Sequence, residues 1–142
     1  DTTIVKQLFR DDINTFINKA EVIRSSKIVF NIIAIGRLEK EMDDSMLIAA
    51  QSANELLNIK DVEASFVLTK TISKVHISGR SIGNVSVQII LEKLGGGGHL
   101  TSAGTQLSGV TVDQAEKMLI DTIRVYLEEG EKKNEGNFIK GS

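Results

Sequence analysis

The chain has 142 residues, 41% of them apolar and 25% charged, which is enough apolar side chain for one domain with a core of its own. Its net charge of -2 excludes a basic nucleic-acid footprint spread over the whole surface, though a local positive patch stays open. With no cysteine there can be no disulfide, thiolate zinc site or cysteine nucleophile, and no apolar run approaches the roughly 20 residues that span a bilayer.

The opening stretch, DTTIVKQ, has neither a Met nor the features of a signal peptide, so a segment of a longer protein is expected. Val5, Leu8, Phe9, Ile13, Phe16, Ile17 and Ala20 recur at helical spacing and predict a helix over 5–23 with one apolar stripe. KIVFNIIAI (27–35) is a short β-branched run that predicts one buried strand. Asp43 and Asp44 then offer N-caps for a helix through SMLIAAQSANELL, with Met46, Ala50, Ala53 and Leu57 on one side.

Residues 62–70 and 73–80 read as two strands joined by a very short link near Thr71 and Ile72, which predicts a hairpin. In the second strand Val75 and Ile77 point one way, and Lys74, His76, Ser78 and Arg80 the other. NVSVQIILEKL (84–94) predicts a helix, with Gly95 as its C′ residue. GTQLSG predicts a short strand. The last helix runs from Thr111, which forms a capping box with Gln114, to a closing Gly130. The remaining tail is polar and is expected to fray. These elements describe an α/β fold, a mixed sheet of about four to five strands with helices packed on it. The expected division is a helical lead-in over 1–26, a binding domain over 27–129 and a flexible tail over 130–142.

Four consecutive glycines, Gly95 to Gly98, precede His99. Without Cβ atoms their N–H groups could turn inward as an anion-binding concavity, and a helix starting near His99 would add its own N–H groups. A surface loop explains the run equally well. The segment is not a P-loop, because GGGGHLTS lacks the phosphate-binding Lys. His99 could donate to a phosphate oxygen or stack beside a base. Arg80 ends a strand with Ser78 and Ser81 beside it, and its planar fork suits phosphate oxygens. A lone strand histidine such as His76 is more often structural than a ligand. Asp11–Asp12 and Asp43–Asp44 read as caps or solvated faces, and no His, Asp and Glu set has metal-ligand spacing.

The stretch ISGRSIGNVSVQIILEKLGGGGHLTSAGTQL (77–107) resembles the DHH-associated domain, the C-terminal partner of DHH phosphoesterases, and is most like that of the GdpP-type cyclic di-AMP phosphodiesterases of Gram-positive bacteria. VKQLFRDDINTF and VEASFVL are also similar to this group, and the resemblance covers roughly 1–128. It departs at Gly79, where Ala is usual, and at TSAG, which replaces TNAA; both keep small residues.

The resemblance implies a substrate-gripping arm. It assigns Gly95, Gly96, Gly97, Gly98 and His99 to the glycine-rich substrate-binding motif, and Ser78 and Arg80 to the segment facing the cleft. It implies cyclic di-AMP or linear di-adenylate as ligand, with short single-stranded nucleic acid if the relative is instead a RecJ-like or oligoribonuclease-type exonuclease. Two manganese ions would be held by a DHH domain, the arm's intramolecular partner. The Asp-His-His triplet occurs nowhere in this chain, so this fragment is expected to bind no cofactor and to be inactive alone. A cytoplasmic position is implied, in a parent anchored in the bacterial cell membrane.

Overall fold

Ten elements follow one another along residues 12–141, the part of the chain that the computed structural model describes. Helix α1 (Ile13–Ser25) starts at Asp12, whose Oδ1 accepts the Thr15 N–H at 2.9 Å. Val5, Leu8, Phe9 and Asp11 lie outside the described residues. The expected apolar stripe is not the buried one. Ile13, Phe16 and Ile17 are exposed, and α1 buries Asn18 and Val22.

KIVFNIIAI forms two strands where one was expected, β1 (Lys27–Val29) and β2 (Ile33–Leu38). Phe30 (φ 54°) and Asn31 (φ 67°) take left-handed conformations that turn the chain back, so that Val29 pairs with Ile33. Helix α2 (Ser45–Leu56) then carries the chain over to β3 (Ala64–Lys70), which runs parallel to β2. Asp44 stands at the N-cap position of α2, but its side chain makes no capping bond.

The predicted hairpin forms between β3 and β4 (Lys74–Ser81), with the Thr71 N–H donating to the Lys74 carbonyl at 2.8 Å. Helix α3 (Val87–Glu92) is capped by Ser86, and β5 (Gly97–His99) and β6 (Ser102–Ser108) form a second tight hairpin. Helix α4 (Val112–Gly141) opens on the predicted box: the Gln114 N–H donates to Thr111 Oγ1 at 3.1 Å, and the Thr111 N–H to Gln114 Oε1 at 2.9 Å. It runs through Gly130, which does not take the left-handed conformation that ends a helix. No helix among the described residues is long and apolar enough to cross a membrane.

The strands form one mixed sheet of six in the order β1-β2-β3-β4-β6-β5. The additions to the expected four or five are β1, split off by the turn at Phe30, and the three-residue edge strand β5. Helices α3 and α4 cover one face over a core that includes Phe66, Ile77, Ile90, Leu119 and Ile123. Helices α1 and α2 cover the other face over Val22, Ala34, Ile48, Leu56 and Val67. They pack on β2 and β3, and α2 reaches β4. Beyond β4 that second face is open: Gln106 and Ser108 of β6 and all of β5 are exposed.

At the edge of the open half, β5 lies very close to β6. A Cβ on Gly98 would come within 2.5 Å of Ala103 Cα, and φ there is +146°; a Cβ on Gly96 would meet Thr105 Cβ at 2.5 Å and the Gly104 carbonyl closer still. Gly96→Ala and Gly98→Ala are therefore each predicted to lower stability by about 1–3 kcal/mol. Urea unfolding measures this, and unchanged midpoints would show that β5 and β6 are not so closely packed.

Candidate functional site

Residues directly opposite in adjacent strands project from the same face. On the open face this register arranges three cross-strand rows. The first is His99 on β5, Ser102 on β6 and Arg80 on β4. The second is Gly97, Gly104 and Ser78. The third is Gln106 on β6, His76 on β4 and Thr69 on β3. Arg80, Ser78, Gly97 and His99 are thus brought together on one uncovered surface. Gly98 is not: it pairs with Ala103, a core residue of the opposite face.

The glycine run divides into different tasks. The Gly95 N–H donates to the Glu92 carbonyl at 3.0 Å and the Gly96 N–H to the Leu91 carbonyl at 2.8 Å, while Gly95 has φ +84°. This is a Schellman ending of α3. Those two N–H groups are therefore committed to the helix, not to an anion. No helix starts at His99, which lies in β5. Gly96 and Gly98 are required by the approach of β5 to β6. Gly97 alone has no such reason, since a Cβ there would meet nothing within 4 Å. The missing side chain leaves the middle row bare.

Arg80 is half-buried, and its Nη1 donates to the Gly79 carbonyl at 2.8 Å. Burial lowers its pKa, but far above neutrality a guanidinium keeps its charge. Arg37 and Arg124 are held by carboxylates, whereas among the described residues Arg80 has no ion pair. A partly desolvated cation without a counter-ion is costly, and an anionic ligand would relieve that cost. His99 is exposed at the far end of the same row, two strand spacings or about 10 Å from Arg80 across the sheet.

A cavity of about 520 Å³ opens over the second and third rows. Its walls include Met46, His76, Ser78, Gly95–Gly97, Gly104 and Gln106, and Arg80 and His99 flank it in the adjoining row. His76 was read as structural from sequence. It is 8% exposed, and its Nδ1 is buried with no hydrogen-bond partner. Met46 and Gln106 carry no sequence signal: one is brought by a helix start and the other by strand register. Among the described residues no three His, Asp or Glu side chains gather into a metal-ligand set.

Comparison with known proteins places this geometry in context. The family described as the DHHA1 domain matches residues 26–129. The chain is 46% identical over 132 residues to the cyclic-di-AMP phosphodiesterase GdpP of Geobacillus thermodenitrificans, covering 92% of this chain and 20% of that protein. It is 43% identical over 127 residues to the cyclic-di-AMP phosphodiesterase PdeA of Listeria monocytogenes, covering 89% and 19% respectively. The chain thus spans about one fifth of the length of these curated relatives. An exopolyphosphatase-related protein of Bacteroides fragilis shares the fold, with a TM-score of 0.73 at 22% identity over 82% of this chain and 36% of that one.

The His76 environment has a consequence for stability. Burial first, and the Lys74 charge second, lower its pKa below the ordinary 6.5. The unfolded chain then binds the proton more readily than the folded one, so stability rises with pH across that window. The His76 contribution is complete above about pH 6.5 and is lost as pH falls through the lower folded value. Thermal unfolding from pH 7.5 down to 5 should show this loss, and His76→Gln should flatten it. An unchanged slope in His76→Gln would assign the acid sensitivity elsewhere.

Proposed function

The chain belongs to the DHHA1 domain family, and on that premise we propose that its open half-sheet grips an adenine dinucleotide, cyclic di-AMP or linear di-adenylate, as the substrate-binding arm of a DHH-family phosphodiesterase. The observation that carries this reading is the first row. Arg80 and His99 flank Ser102 on a surface that no helix covers among the described residues, where Arg80 is paired with no carboxylate. A phosphate resting over Ser102 would accept from the Arg80 guanidinium, a charge-assisted hydrogen bond worth about 1.5–3 kcal/mol. The Ser78 hydroxyl and the bare backbone at Gly97 would receive the adjoining sugar and ring. The relatives named as cyclic-di-AMP phosphodiesterases support the choice of dinucleotide.

In this reading the chain binds and orients, and the hydrolytic step with its manganese pair belongs to a DHH domain. Closing the arm over that domain would exclude water from the cleft and fix the phosphodiester in place, which is how positioning alone can contribute to rate. In a longer, membrane-anchored protein the arm would lie on the cytoplasmic side. Aromatic residues make up only 4% of the chain, which offers few stacking platforms for a long single strand.

The test is a titration of the isotope-labelled chain, followed by NMR, with cyclic di-AMP, linear di-adenylate and a short single-stranded DNA. Shifts should concentrate at Gly97, His99 and Arg80 and favour the dinucleotides, with a shallow dependence on salt. A preference for the DNA with a steep salt slope would point to a nuclease arm instead. Arg80→Ala should weaken dinucleotide binding about tenfold or more while leaving the fold intact. Unchanged affinity in that variant would remove Arg80 from the site.

Gly97→Ala separates access from folding. Its unfolding midpoint should stay close to that of the parent chain, because the new methyl group meets open space. Its dinucleotide affinity should fall, because the methyl occupies the floor on which the ligand rests. Equal affinity would mean that the ligand never approaches the middle row.

A further inference from the structure

We propose that His76 and Gln106 form a wall that reads the edge of an adenine ring lying on the Gly97–Gly104 floor, His76 accepting from the ring's exocyclic amine and Gln106 donating to a ring nitrogen. The inference rests on the dinucleotide reading above and names the residues that select the base.

Gln106 and His76 are direct ladder partners, so their side chains leave the sheet side by side and both line the cavity. Lys74 Nζ donates to Gln106 Oε1 at 3.2 Å. An ammonium offers donors only, so the amide oxygen must be the end turned towards it. Gln106 therefore presents its amide N–H groups to the cavity. They can meet an acceptor and nothing else.

The His76 imidazole is neutral near pH 7, because burial and the Lys74 charge both disfavour its cation. A neutral ring carries one donor nitrogen and one acceptor nitrogen. Nδ1 is buried and has no partner, and so is Oγ1 of Thr69, the ladder partner of His76 on β3. With Nδ1 buried, Nε2 is the ring nitrogen left to meet the cavity, and in the tautomer that carries its proton on Nδ1 it is an acceptor. The wall then presents one acceptor beside the amide donor, while the Lys74 ammonium, which also lines the cavity, is directed to Gln106 Oε1.

The adenine edge is the complement, since N6 carries two donor hydrogens beside the acceptor N7. A 6-oxo purine places an acceptor where adenine has its amine, and two acceptors would then face a wall with one donor. Met46, half exposed on α2, lines the same cavity, and its flexible thioether suits contact with a ring face. The third row lies four strand residues, about 14 Å, from the cationic first row. That separation suits a nucleotide, with phosphate at one end and base at the other.

The experiment titrates this chain with adenosine 5′-monophosphate, inosine 5′-monophosphate and inorganic phosphate, followed by NMR. Adenosine monophosphate should bind about five- to tenfold more tightly than the inosine compound, the value of about one hydrogen bond. It should also shift the His76 ring nitrogens and the Gln106 amide, with Nε2 unprotonated. Gln106→Leu, at an exposed position that leaves the fold intact, and His76→Phe should each reduce that preference while phosphate still perturbs Arg80 and His99. Equal binding of the two nucleotides, or a preference surviving in both variants, overturns the wall. If nucleotide and phosphate perturb Arg80 and His99 but not His76, only this inference falls and the phosphate grip stands. If no ligand perturbs either row, both readings fall.

Discussion

The site depends on one steric constraint, the close approach of β5 to β6. Gly96 and Gly98 lie where no Cβ could fit against Thr105 and Ala103. That contact holds a strand of only three residues on the edge of the sheet. Two of the three are glycines, which have poor strand propensity and lose the most backbone entropy on ordering. What keeps them in place is the Schellman ending of α3 on one side and the tight turn to β6 on the other. His99 is carried into line with Ser102 and Arg80 by this register alone.

A second feature turns the surface into a site. One face of the sheet is covered by α3 and α4, but α1 and α2 cover the other face only as far as β4. The uncovered strands present polar side chains in rows of different electrical character. Among the described residues Arg80 carries charge without a carboxylate partner, while the row beyond the glycine floor is led by a neutral imidazole and an amide. A ligand with a charged end and an uncharged polar end matches that order. In the proposed reading the arrangement holds and orients; among the described residues it assembles no metal-ligand set.

Much of this was legible in the sequence because it rests on local chemistry. The capping box at Thr111 and Gln114, the C′ role of Gly95 and the alternation along β4 are properties of short segments. Arg80 and the glycine run were visible as residue types that suit an anion. The turn at Phe30 and Asn31 was hidden, because Phe is an uncommon choice for a left-handed conformation and its apolar character reads as strand. Strand β5 was hidden because nothing in GGH favours extension; tertiary packing imposes it. The apolar stripe of α1 misled for the opposite reason: its period is real, yet Ile13, Phe16 and Ile17 face outward. His76 looked structural when read alone. Only the register that sets it beside Gln106 and Thr69 brings it to a cavity wall with a buried Nδ1 that has no partner.

The most direct measurement is a crystal structure of this chain with linear di-adenylate bound. The account predicts a phosphate over Ser102 within hydrogen-bond distance of the Arg80 guanidinium, and an adenine ring lying across Gly97 and Gly104. A dinucleotide bound elsewhere on the chain, with Arg80 still turned to the Gly79 carbonyl, would contradict it.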